Sequence, residues 1–116
     1  MRVNVDHYVD ASDPDADGLH DWYYEYDIYR FSQAGRSFVA RAYTDEPRKV
    51  AFLAHEVKIL GFRRHRLLNS ADLRSSLFVA ALAHFRRLGM TSIDRLTEAG
   101  YVPVENAAPD GVIQNL

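Results

Sequence analysis

The chain contains no cysteine. Disulfides, thiol nucleophiles and cysteine-rich zinc sites are therefore excluded. Long apolar runs are also missing. No stretch approaches 18 apolar residues, so none reads as a membrane span, and residues 1–6 lack the apolar core of a signal peptide. These absences set the expectation of a cytoplasmic protein with no membrane partner. Catalytic signatures are equally scarce. There is no phosphate-cradling glycine loop and no G-x-S-x-G elbow. His55-Glu56 is followed by Val57-Lys58-Ile59, so H-E-x-x-H is absent. No catalytic residue is nominated and the domain reads as non-catalytic, with an acid–base pair assembled from distant residues left open.

What is present fits one globular domain over residues 1–116. Its 47% hydrophobic and 26% charged content separates it from disordered chains. The net charge of −2 conceals a strong asymmetry. Residues 1–29 carry eight acids against Arg2 alone, residues 30–95 carry 13 bases against five acids, and residues 96–116 carry three acids and no base. Either the acidic and basic parts lie against each other or the surface is dipolar.

Periodicity organises the chain. Residues 2–9 alternate weakly, as a first strand does, and residues 10–20 (DASDPDADGLH) carry turn chemistry. Residues 21–44 predict a hairpin with a three-residue loop at Gln33-Ala34-Gly35, pairing Ile28 with Ala40, Tyr26 with Ala42 and Asp27 with Arg41. Trp22, Tyr24, Tyr26 and Ile28 then face the core, and Tyr23, Glu25, Asp27 and Tyr29 face outward. Residues 45–60 predict a helix begun by Thr44 or Asp45, with a buried stripe of Val50, Leu53, Ala54, Val57 and Leu60 and a C-cap at Gly61. Residues 62–68 read as a basic connection or a short strand. Residues 71–88 predict a second helix, capped by Asn69 or Ser70, burying Phe78, Ala81, Leu82, Phe85 and Leu88 and ending at Gly89-Met90. Residues 92–99 read as a short helix, with a strand as the alternative. Residues 101–104 read as an edge strand, because Pro103 cannot donate to a central ladder. An irregular tail follows from residue 105. The resulting fold class is α+β, an antiparallel sheet of three to four strands packed against two main helices. Its core combines Trp22, Tyr24, Tyr26, Ile28, Leu53, Val57, Phe78, Leu82 and Phe85.

Three features point to binding chemistry. First, six of the ten residues in 22–31 are aromatic, interleaved with acids. The outward set Tyr23, Glu25, Asp27, Tyr29 and Phe31 is the candidate partner-binding face. Its rings would anchor a protein partner and its carboxylates would favour a basic one. Second, Asp13-Pro14-Asp15-Ala16-Asp17-Gly18 matches the opening of a calcium loop, with Asp13, Asp15 and Asp17 as candidate ligands. The match fails at its twelfth position, where Tyr24 stands instead of a bidentate glutamate, so a solvated acidic loop competes with a calcium or small enzymatic site. Third, Arg63, Arg64 and Arg66 form a basic segment that could meet nucleic acid, although a sequence pI of about 6.2 is not that of a nucleic-acid domain.

The segment WYYEYDIYRFSQAGRSFVARAYTDEPRKVAFL, residues 22–53, resembles one found in small uncharacterised bacterial proteins with a tyrosine-rich acidic hairpin, a D-E-P helix start and a following helix. Some of these are similar to immunity proteins of bacterial toxin systems. The resemblance implies an immunity-like inhibitor of a partner protein and carries no assigned functional residue. Twelve arginines against two lysines agree with a bacterial origin.

Overall fold

The computed structural model describes residues 1–104, so the predicted irregular tail from residue 105 lies outside the described residues. The chain is mostly β. A seven-stranded mixed sheet is built from β1 (Arg2–Ala11), β2 (Tyr23–Gln33), β3 (Arg36–Tyr43), β4 (Lys49–Ile59), β5 (Phe62–Arg66), β6 (Ser92–Thr97) and β7 (Gly100–Pro103). Two short helices, α1 (Ser70–Leu73) and α2 (Ser76–Arg87), lie between β5 and β6. This corrects the predicted α+β sheet of three to four strands against two main helices. The strand order is β1-β2-β3-β4-β6-β7, with β5 pairing the outer half of β4. All pairings are antiparallel except β4 with β6, which is parallel.

The first correction has a local cause. The segment predicted as a helix over 45–60 is β4, and its apolar residues mislead because β4 carries a bulge. Val39 pairs with Ala54 but Ala40 pairs with Phe52, leaving Leu53 as the extra residue. Val50, Phe52 and His55 are buried, so strict alternation breaks at the bulge and the spacing mimics a helical stripe. Gly61, expected to cap that helix, instead completes a two-residue hairpin turn. Leu60 and Gly61 both have positive φ, and Ile59 pairs with Phe62 across the turn.

The second correction is a one-residue slip. The β2–β3 turn is two residues long, Ala34-Gly35, with φ of 53° and 81°. Both central residues of a type I′ turn need that conformation. The register therefore pairs Tyr29 with Ala40, Ile28 with Arg41 and Asp27 with Ala42. Ala40 and Ala42 remain in the core, as expected, so the slip turns Tyr29 and Phe31 inward. Trp22 and Tyr24, expected in the core, are about half exposed, and Tyr26 and Ile28 are only half-buried.

One face of the sheet is covered. On it, α2 packs Leu77, Phe78, Ala81 and Phe85 against Tyr29, Phe31, Phe38, Ala40, Val50, Phe52 and Ile93. Phe85 stands edge-on to Tyr29 at 4.9 Å and to Phe31 at 5.0 Å, and Phe78 meets Phe52 at 4.6 Å. Phe78 and Phe85 thus hold their expected core places. Leu82 packs partly against the core, and Leu53 and Val57 are half-buried.

The single helix expected over 71–88 is two. Asn69 and Asp72 form a capping box on α1, and Ser75 accepts from the Phe78 amide to start α2 afresh. The end of α2 matches its sequence. Met90 N donates to the Phe85 carbonyl and Gly89 N to the Arg86 carbonyl, closing a Schellman motif. Residues 92–97 take the strand alternative, and β7, carrying Pro103, lies at the sheet edge.

Candidate functional site

The β1–β2 hairpin is longer than the helix that covers it. Val3 pairs with Phe31 and Val5 with Tyr29, next to α2. Beyond them, His7 pairs with Asp27, Tyr8 with Tyr26 and Val9 with Glu25. Among the described residues, no helix lies over this outer half. Val9, Leu19, Trp22, Tyr23 and Tyr24 are all more than half exposed or at half. Its acids include Asp6, Asp10, Asp21, Glu25 and Asp27.

The predicted partner-binding set is therefore divided. Tyr23, Glu25 and Asp27 remain accessible on the helix side of the sheet, beyond the end of α2. Tyr29 and Phe31 are core residues, 9% and 0% exposed, and leave the candidate face. The strand was expected to bury one aromatic set and to present the other, interleaved with acids, on its outward face. Instead, its outer half exposes both sets.

On the opposite, uncovered face the tyrosines form a row that the sequence reading missed. Tyr8 stacks on Tyr26 at 5.6 Å, and Tyr26 meets Tyr43 edge-on at 5.7 Å. The three are direct neighbours on β1, β2 and β3. The Arg41 guanidinium sits 4.9 Å from the Tyr43 ring and donates to the Tyr101 hydroxyl at 2.8 Å. A recess of about 230 Å³ continues the row, bordered by Arg41, Tyr43, Glu46, Asp94 and Tyr101. Its charges nearly compensate one another, with Lys49 3.8 Å from Glu46. Two matching registers were needed to see the row.

His7 is held between two carboxylates. Its Nδ1 lies 2.7 Å from Asp27 Oδ1 and its Nε2 2.8 Å from Glu25 Oε2. Both nitrogens donate only when the ring is protonated. The bonds to Asp27 and then Glu25 raise its pKa above the ordinary 6.5. A group raised on folding contributes its stability fully below 6.5 and loses it as pH rises through the higher folded value. In an NMR titration the His7 ring titrates above 6.5, and Asp27→Asn moves it back down. An unshifted midpoint in the wild type would contradict the clamp.

The acidic loop is organised around Asp15. Its Oδ1 accepts from the Asp17 and Leu19 amides, both at 2.9 Å, so this carboxylate serves the turn itself. Among the described residues, no three His, Asp or Glu side chains are grouped to hold a metal ion. The basic segment is β5. Arg66 pairs with Asp72 through both guanidinium nitrogens, at 2.5 and 3.0 Å. Burial pushes the Asp72 carboxyl up, but Arg66 and the Asn69 amide outweigh it and hold it below its usual range. Arg63 faces the uncovered side with Lys58, and Arg64 faces the other side with Val57. The three predicted nucleic-acid residues are thus not one patch, and the exposed tyrosines lie at the acidic end rather than beside them. No helix among the described residues is long and apolar enough to cross a membrane. No protein-family model, curated protein or solved structure matches the chain.

Proposed function

We propose that this domain is a non-catalytic protein-binding module that takes a basic partner on the outer half of its β1–β2 hairpin. The observation that carries this reading is the stretch of hairpin beyond α2, where exposed rings and carboxylates share both faces. An apolar surface of this kind costs solubility unless it is used, and exposed clusters of large side chains mark interaction sites. Trp22, Tyr23 and Tyr24 supply wide, stiff contact area with polar tips. The surrounding aspartates speed encounter with a cationic surface and disfavour acidic ones. Among the described residues β1 is also a sheet edge, where a partner strand could pair. In its fuller form the module is immunity-like and inhibits a basic toxin protein by covering it.

The test is a capture from host lysate at rising salt, run with three forms of the protein. Wild type retains a basic protein at low salt and releases it as salt rises. Trp22→Ala with Tyr24→Ala lowers retention by about tenfold or more, as lost aromatic anchors do. Asp10→Asn with Asp21→Asn lowers retention at low salt and flattens its dependence on salt, because fewer charges are left to screen. The exposure of all four positions keeps melting temperatures near wild type. Retention that ignores both pairs of substitutions contradicts the reading.

A further inference from the structure

At the opposite end of the uncovered face, cations gather with few partners. Arg2, Arg30, Arg36, Lys58 and Arg63 border one depression of about 310 Å³ beside the Ala34-Gly35 turn. Arg36 pairs with Val57 and so points to the helix side, which leaves the side chains of Arg2, Arg30, Lys58 and Arg63, from β1, β2, β4 and β5, on the uncovered face. The register explains the gathering. Arg2 pairs with Ser32, Ser32 with Ser37 and Ser37 with Glu56, so two small hydroxyl residues form the floor between long charged side chains.

Among the described residues, Glu56 is the one carboxylate bordering the depression, and it is already shared. It lies 2.6 Å from His65 Nε2 and 3.7 Å from Arg30 Nε. Asp6, at the rim, reaches Arg30 at 3.7 Å. Among the described residues, Arg2, Arg36, Lys58 and Arg63 form no ion pair. The buried Nε of Arg30 makes no hydrogen bond. The Ser32 and Ser37 hydroxyls lie 2.6 Å apart, so one donates to the other and one proton remains for a ligand. Four like charges on one face of the sheet repel one another, and an anion placed among them relieves that repulsion.

We propose that this depression binds a di- or triphosphate group. Size and charge select it. The strands bearing Arg2 and Lys58 are three spacings apart, or roughly 14 Å at the usual strand separation. A single phosphate would draw both long side chains inward across that gap, whereas a chain of two or three meets each on its own side. Arginine and serine donors suit phosphate oxygens. None of the bordering residues is aromatic, so the site has no ring on which to stack a base. Recognition rests on the phosphate chain, whether free or carried by a nucleotide.

Calorimetry and melting temperature at low ionic strength test this with inorganic pyrophosphate, tripolyphosphate, ADP, ATP and a thymidine oligonucleotide as probes. Potassium chloride at matched ionic strength is the reference. Pyrophosphate and tripolyphosphate raise the melting temperature beyond that reference. ADP and ATP bind no more tightly than the corresponding free chains if the free compounds are the source, and more tightly if a nucleotide is; both outcomes support the site. Arg63→Gln weakens binding by about tenfold, the effect of one charge-assisted contact. Arg64→Gln removes the same charge from the next residue, on the other face of β5, and leaves binding unchanged. Three results overturn the proposal: no stabilisation beyond potassium chloride, equal weakening by both substitutions, or tighter binding of the oligonucleotide than of every phosphate chain. The protein-binding reading rests on the other end of the sheet and survives any of them.

Discussion

Replacing Phe31 by alanine lowers the stability of the domain by about 3–5 kcal/mol, whereas replacing Tyr24 by alanine changes it by less than about 1 kcal/mol. Both are aromatic residues of the same strand, and the difference measures which face of β2 is buried. Phe31 is fully buried and meets the rings of Phe85, Phe52 and His84. Truncation leaves a cavity that α2 cannot close, because Phe85 is also braced by Tyr29 and Phe52. Tyr24 is half exposed and meets Tyr43 at 6.1 Å on the uncovered face. Urea unfolding of the two variants checks the register directly. A reversed order, with Tyr24→Ala the more damaging, would restore the register with Ile28 opposite Ala40 and remove the proposed contact surface.

His55→Leu is expected to stabilise the protein by about 1–2 kcal/mol, because a buried polar group without partners carries an uncompensated desolvation cost. His55 lies on β4 against the ring of Phe38, and neither of its nitrogens has a hydrogen-bond partner. Leucine keeps most of the volume without the polar atoms. The pH dependence gives a second readout. Burial, and then Arg66, push the His55 pKa below its ordinary 6.5. The unfolded chain therefore binds this proton more readily than the folded one. The stability attached to His55 is complete above 6.5 and falls as pH drops toward the folded value. The contribution of Asp72 also falls in acid, but below its ordinary 3.8. The His7 contribution is complete below 6.5, so thermal unfolding between pH 6.5 and 5 should show a decline in the wild type that is reduced in His55→Leu. A variant that is less stable than wild type and keeps the full decline would show that His55 makes a favourable interaction.

Parts of this fold were legible because their signals are local. The end of α2 at Gly89-Met90 is written in the positive φ of one glycine and the apolar residue after it. Pro103 marks an edge strand by its missing donor. Phe78 and Phe85 follow the helical period of a segment that is indeed helical. The candidate site was legible only in composition. The concentration of acids and rings before residue 30 identified the outer hairpin, but not which rings point where. Tyr29 and Phe31 were assigned to the wrong face because a two-residue and a three-residue turn fit Gln33-Ala34-Gly35 almost equally well, and one residue decides the facing of the whole strand. β4 was misread because a bulge at Leu53 gives a strand the spacing of a helix. The depression at the other end was invisible, since its four cations are separated by up to 61 positions in the chain.

The sequence by itself determined the separation of charge, the absence of thiol chemistry, the acidic aromatic character of residues 1–29 and the amphipathic helix that covers the core. Tertiary structure decided that the segment after Pro47 is a strand, that the rings of β2 divide between core and surface as they do, and that tyrosines gather at one end of the uncovered face and arginines at the other. The physical reason is the range of the interactions. Caps, turns and composition act over a few neighbouring residues, whereas a strand gains its partners, its register and its buried face only from chains that arrive from elsewhere.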